Sequence, residues 1–256
     1  MGVIVPGDAV ASEALVELLI PSESSSTVLR LQGPASKLSS RLPLEVVLRK
    51  WKEEIYFSTP MDPADLEGLP LTAKVSPGKV YYWPPGRALC IFYGYSQIYT
   101  PGHPVGEVVG PVRFLDKIVD ETRGELVPHR PDEELAGITG QLASMGYAVS
   151  TPLLAGSRVV SAHKSVEGYR LAFFAVREAY GVYIESEPLF SYNRDAATLR
   201  VMERLARTLA GANYARLDID EEGNVVLSAS VEEGQVSSAI GELERYYPRV
   251  VESLLD

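Results

Sequence analysis

One cysteine stands in the 256 residues, Cys90, so an internal disulfide is excluded. Its setting in "ALCIFYG" predicts a buried small hydrophobe, because a thiolate nucleophile needs a histidine or cation beside it and only Arg87 is near in sequence. Histidine is also scarce: His103, His129 and His163 lie far apart, without cysteines or carboxylates at ligand spacing, and no metal site is expected. No G-x-G-x-x-G, P-loop or G-x-S-x-G occurs, so no cofactor is expected either. The "DIDEEGN" stretch has part of a calcium loop but lacks its full pattern and distant glutamate, and reads as a polar turn. No apolar run reaches the roughly 18 residues of a membrane-spanning helix, and no basic region precedes the apolar residues of the opening segment. The expectation is a soluble, cytoplasmic protein without a membrane partner. Lys and Arg form no cluster and net charge is −10, a surface that repels phosphate backbones and excludes nucleic acid as a partner. Only three asparagines and four glutamines accompany 18 prolines, a bias that predicts a thermophilic source.

What the chain has is apolar mass, 46% hydrophobic residues against 23% charged, enough for two domains at this length. The first half reads as short strands with turn punctuation: "EALVELLI", "STVLRL", "EEIYFSTP" ending at Pro60, "KVYYWPP" ending at Pro84, "RALCIFYG" and "VGEVVGPVRFL". "GPASKLSSRLP" predicts a short helix between Pro34 and Pro43. Pro85 and Gly86 suit the central positions of a type II turn. Many short strands without a long helix predict an all-β closed barrel or sandwich.

The pattern changes near residue 130. "TRGELVPHRPDEE" is polar and reads as the linker, placing domains at 1–128 and 129–256. In the second, "PDEELAGITGQLASMGY" has Leu135, Ile138, Leu142 and Met145 at helical spacing and Gly146 as a stop. "AVSTPLL", "SRVVSAHK", "YRLAFFAV" and "GVYIESE" read as strands. "RDAATLRVMERLARTLAG" is a second helix with Leu199, Met202, Leu205 and Leu209 on one face and Asn193 as its cap. "YARLDIDEEGNVVLSASV" is a hairpin, and "SSAIGELERYYPRVVESLL" is a closing helix broken or kinked at Pro248. The order is that of an α+β sandwich.

"WKEEIYFSTP", "YYWPPGRALCIFYG" and "PVGEVVGPV", in this order and spacing, resemble a small prokaryotic family with a cyclophilin-like β-barrel and no established biochemical role. The resemblance spans roughly residues 12 to 118 and implies a closed barrel; "YSQIYTPGHP" departs from the family pattern at the barrel mouth. The element order and the "LDIDEEGNVVLSASV" hairpin of the second half look like the type III secretion chaperone fold. That resemblance implies a domain that dimerises and binds polypeptides.

The barrel resemblance raises prolyl isomerisation, which needs an arginine over a twisted X-Pro amide beside an apolar pocket. Arg87 and Arg113 are the candidates by type, although no F-H-R-type strand occurs. Glu53 and Glu54, adjacent on a strand, face opposite sides and cannot act as a pair; they read as surface carboxylates beside Lys50 and Lys52. His103, in "TPGHP", reads as an exposed loop residue. Aromatic mass collects in Tyr56, Tyr82, Trp83, Phe92, Tyr93, Tyr95 and Tyr99. Tyr56, Trp83, Arg87, Tyr93, Tyr95 and His103 are therefore the expected ligand-binding residues, at the barrel mouth. The leading expectation is a non-catalytic, chaperone-like module, forming a homodimer, for a peptide, protein or small organic ligand. A prolyl isomerase is the alternative.

Overall fold

The computed structural model describes residues 12–254; the opening segment read above for a leader lies outside them. Eight antiparallel strands close into a barrel: β1 (Glu13–Ile20), β2 (Ser25–Gln32), β3 (Leu44–Trp51), β4 (Glu54–Ser58), β5 (Lys79–Trp83), β6 (Ala88–Phe92), β7 (His103–Val108) and β8 (Thr122–Pro128). Their spatial order is β1-β2-β7-β5-β6-β4-β3-β8. Period-2 alternation decides which side chains enter. Val16, Leu18 and Ile20 of β1 face inward with Ile55, Phe57, Tyr82, Leu89 and Ile91, and this packed set fills the barrel. The interior is thus a core rather than a ligand channel.

Two barrel strands escape the sequence reading. "TRGELVP", expected as linker, is β8 and closes the barrel by pairing with β1 and β3 at once. Its polar letters are those of the outward face, while Leu126 points into the core. β3 hides for the same reason: "LEVVLRKW" places Val46 and Leu48 inside and Val47 and Arg49 outside. The short helix expected between Pro34 and Pro43 is present as a 3-10 helix over Gly33–Arg41.

The second unit begins with α1 (Ala136–Ser144). Its sheet comprises β9 (Ala148–Ser150), β12 (Val160–Val166), β13 (Tyr169–Glu178), β14 (Gly181–Ser186), β15 (Phe190–Ser191), β16 (Arg216–Ile219) and β17 (Asn224–Val231), and β10 (Leu153–Leu154) and β11 (Ser157–Arg158) form a small hairpin. α2 (Ala196–Thr208) and α3 (Val236–Ser253) complete it. Ile138, Leu142, Phe173, Ile184, Leu227 and Ile240 share one core between sheet and helices. α3 is not broken at Pro248 and continues to Ser253. α2 is capped by Asp195, whose carboxylate accepts from the Thr198 N–H at 2.7 Å, and not by Asn193. Among the described residues, no helix is long and apolar enough to cross a membrane.

Side-chain hydrogen bonds stitch the two units together. Ser150 and Ser161 hydroxyls both donate to the Val109 carbonyl. Arg170 donates to the carbonyls of Val108 and Gly110, and Glu187 accepts from the N–H groups of Val112 and Arg113. Gly110 is required here: its φ is +122°, and a Cβ would lie 1.6 Å from the Ser161 hydroxyl.

Candidate functional site

The outward faces of β4, β5 and β6 are unusually apolar. Alternation that sends Ile55, Phe57, Tyr82 and Leu89 inward must send Glu54, Tyr56, Tyr81, Trp83, Cys90 and Phe92 outward. Register aligns Tyr56, Cys90 and Tyr81 across three strands, with Ser58, Ala88 and Trp83 in the next row. Tyr81, Cys90 and Phe92 form a second apolar cluster with Val75, against which Tyr56, Trp83 and Ile98 pack. Tyr81 and Phe92 meet edge to face, their centroids 5.6 Å apart.

The loop 94–102 arches over this wall and leaves a cavity of about 180 Å³ lined by Trp51, Glu54, Tyr56, Trp83, Ile98, Tyr99 and Thr100. Glu53, in the turn before β4, anchors the loop. Its carboxylate accepts from the backbone N–H groups of Tyr95 and Ser96 at 2.9 and 3.2 Å. The Trp51 and Tyr99 rings meet in a tilted arrangement, their centroids 5.2 Å apart and their planes at 59°, with the Lys52 ammonium 4.5 Å from the Trp51 ring centroid.

The W-P-P-G sequence positions the Trp83 wall. Pro84–Gly86 is a 3-10 turn closed by the Arg87 N–H to the Pro84 carbonyl at 3.1 Å. It is not type II: the left-handed residue is Arg87, φ +46°, and Gly86 has no positive φ. Gly86 serves a different need, since the Trp83 ring folds over it and an added Cβ would come within 2.4 Å of that ring. The indole N–H then donates to the Thr100 hydroxyl at 2.6 Å, fixing the ring's other edge.

Glu54 supplies the polar feature of the cavity. It is 5% exposed. Burial raises its pKa above the ordinary carboxylate value, and among the described residues the Cys90 thiol is the one group that opposes the rise. Cys90 is itself buried, and burial together with Glu54 pushes its thiol upward, away from nucleophile chemistry. The cavity can therefore hold an apolar body between aromatic walls while a buried acid accepts a hydrogen bond or faces a cation.

The expected site residues separate. Tyr56 and Trp83 line the cavity. Tyr93 faces the barrel core and donates its hydroxyl to the Lys52 carbonyl at 2.8 Å. Tyr95 is 81% exposed on the loop and lines no part of the cavity. His103 is the first residue of β7, buried rather than exposed, with Nδ1–H donating to the Pro70 carbonyl at 3.1 Å. Arg87 and Arg113 are both exposed, and neither lines the cavity. The cavity lies on the outer wall of the barrel, not at its mouth. Glu54, expected as a surface carboxylate, could have been read as a wall residue from Tyr56, two positions on and so on the same face. Ile98 carried no such signal, because a loop brings it in, and Trp51 ends β3, a strand hidden in the sequence, directly opposite Glu54.

Residues 16–126 match the family model described as Cyclophilin-like. No curated protein matches the chain. The solution structure of a hypothetical protein from Archaeoglobus fulgidus aligns at 20% identity over 47% of this chain and 98% of its own, with a TM-score of 0.37.

Proposed function

We propose that this protein is a non-catalytic binding module whose barrel wall holds a small organic or peptide ligand with an apolar body and an ammonium or other N–H donor group. The observation that carries the reading is the buried Glu54 carboxyl at the base of a cavity walled by Trp51, Tyr56, Trp83 and Tyr99. Aromatic faces attract cations, and a desolvated carboxylate gives such a group a partner worth more than it would be in water. The helix–antiparallel sheet–helix order of the second unit supports its reading as a secretion-chaperone-like domain, which would make a polypeptide the natural source of that group. The isomerase alternative is disfavoured because Arg87 and Arg113 are exposed and neither lines the aromatic cavity.

Both tryptophans of the chain, Trp51 and Trp83, line the cavity, so intrinsic fluorescence reads its occupancy directly. Titration with phenethylammonium should quench emission saturably, and Glu54→Gln should abolish the response. The neutral isostere phenylethanol should bind more weakly. Equal responses to both compounds, or none to either, would sink the reading. A protease-coupled proline-peptide assay tests the alternative: rate enhancement lost on Arg87→Ala or Arg113→Ala would replace binding with catalysis.

A further inference from the structure

A second and larger cavity, about 570 Å³, opens where the barrel meets the second sheet. Arg30, Lys79 and Glu107 reach it from β2, β5 and β7, and Tyr147, His163, Lys164 and Arg170 reach it from the other unit. Its volume falls within the range of small-molecule sites. Its charge is opposite to that of the molecule. In a chain of net −10, four cationic side chains and a single carboxylate line this wall among the described residues.

Glu107 organises the cations. One oxygen pairs with Arg30, and the other accepts from Lys79 at 2.6 Å and lies 3.5 Å from His163 Nε2. With those partners Glu107 is held well below the ordinary carboxylate range, so it stays charged and fully engaged. Lys164 and Arg170 are braced by Glu244 and Glu187, at 2.9 and 2.8 Å, and neither of those carboxylates lines the cavity.

Among the described residues Nε of Arg30 and Nδ1 of His163 are buried without a hydrogen-bond partner and are closed off from the cleft; what the cleft presents is the partly exposed end of the Arg30 side chain and the half-exposed ammonium of Lys79. A cleft that gathers positive charge in an acidic chain is matched to an incoming anion. Arg30, Lys79 and Lys164 offer N–H donors to an oxyanion.

We propose that the cleft between barrel and sheet binds a small oxyanion, a sugar phosphate or a hydroxycarboxylate, with Arg30, Lys79 and Lys164 on the anion. The ligand bridges both units and would lock their arrangement. This site is independent of the aromatic cavity.

Calorimetric titration of the full chain with ribose 5-phosphate and with citrate tests it, with sodium chloride at matched ionic strength as the control. Saturable binding is expected for at least one of the two. Lys79 is half exposed, so Lys79→Gln, which keeps an N–H donor towards Glu107, should weaken binding roughly tenfold, the loss of one charge-assisted hydrogen bond. Ser165→Glu, at an exposed position on the cavity rim, should weaken it at least as much while leaving the fold intact. The His163 imidazole resonances should shift on saturation. Binding of the phosphate alone, or of citrate alone, identifies the oxyanion. Binding unaffected by both variants, or absent for both probes, overturns the proposal.

Discussion

At the scale of single residues, the carboxylates divide by environment. Glu54 is buried with little to compensate it, and its pKa rises; Glu17 is buried as completely, yet it is held below the ordinary carboxylate value. For Glu17, burial pushes upward but is outweighed by hydrogen bonds from His129, Ser26 and Arg158. A carboxyl whose folded pKa is raised binds more protons in the native state, so its contribution falls as pH rises from the ordinary value to the folded one. Glu54→Gln should therefore gain stability relative to the parent as pH is raised from about 4 to 8, since glutamine removes that penalty. Paired thermal melts across this range check the sign. A difference that shrinks with rising pH would show that Glu54 is compensated by a partner. Sequence singled out Glu54 but neither Glu17 nor this contrast, because burial and partners are decided by what covers each face in the fold.

At the scale of elements, the strands with strong apolar alternation were legible, and those with polar outward faces were not. β1 and β6 announce themselves, whereas β8 reads as linker until the barrel demands an eighth strand between β1 and β3. Closure is a property of the set, invisible in any one strand. The W-P-P-G turn shows the same limit: its glycine was legible as a turn residue, but its steric reason, the ring of Trp83 lying across it, was not. Gly86→Ala should displace that ring and break its bond to Thr100. In a Trp51→Phe background the Trp83 emission should shift to the red and phenethylammonium binding should weaken, with global stability changed by no more than about 1 kcal/mol because the barrel interior is untouched. Unaltered emission would mean that the turn accommodates the methyl group without moving the indole.

At the scale of the whole molecule, the junction between the two units is made of buried polar contacts, and His129 is its centre. Its Nε2 accepts from the Thr151 N–H at 3.4 Å, which fixes the tautomer and leaves Nδ1–H to donate to Glu17 at 3.0 Å. Arg158, from β11, donates to the other Glu17 oxygen at 2.5 Å and to the Thr151 carbonyl at 2.7 Å. The residue that sequence placed in a polar linker thus ties β1 of the barrel to the chain entering the second sheet. Histidine, glutamate and arginine far apart in sequence gave no hint of the arrangement, because only the docking of the two units assembles it. His129→Ala leaves a buried carboxylate short of a donor, a cost of about 1–3 kcal/mol borne at the junction rather than in either core. Calorimetry should then show the melting of the two units separating into two transitions. Acid should act on the parent in the same direction. A depressed carboxylate contributes stability above its unfolded pKa and loses it as pH falls through the folded value, so coupling should weaken below about pH 4. Glu17→Gln should remove that pH dependence of the coupling. A single transition in His129→Ala at every pH would mean that the contacts of Arg170, Glu187 and Val109 suffice to hold the units together, and that the Glu17 network is dispensable to their union.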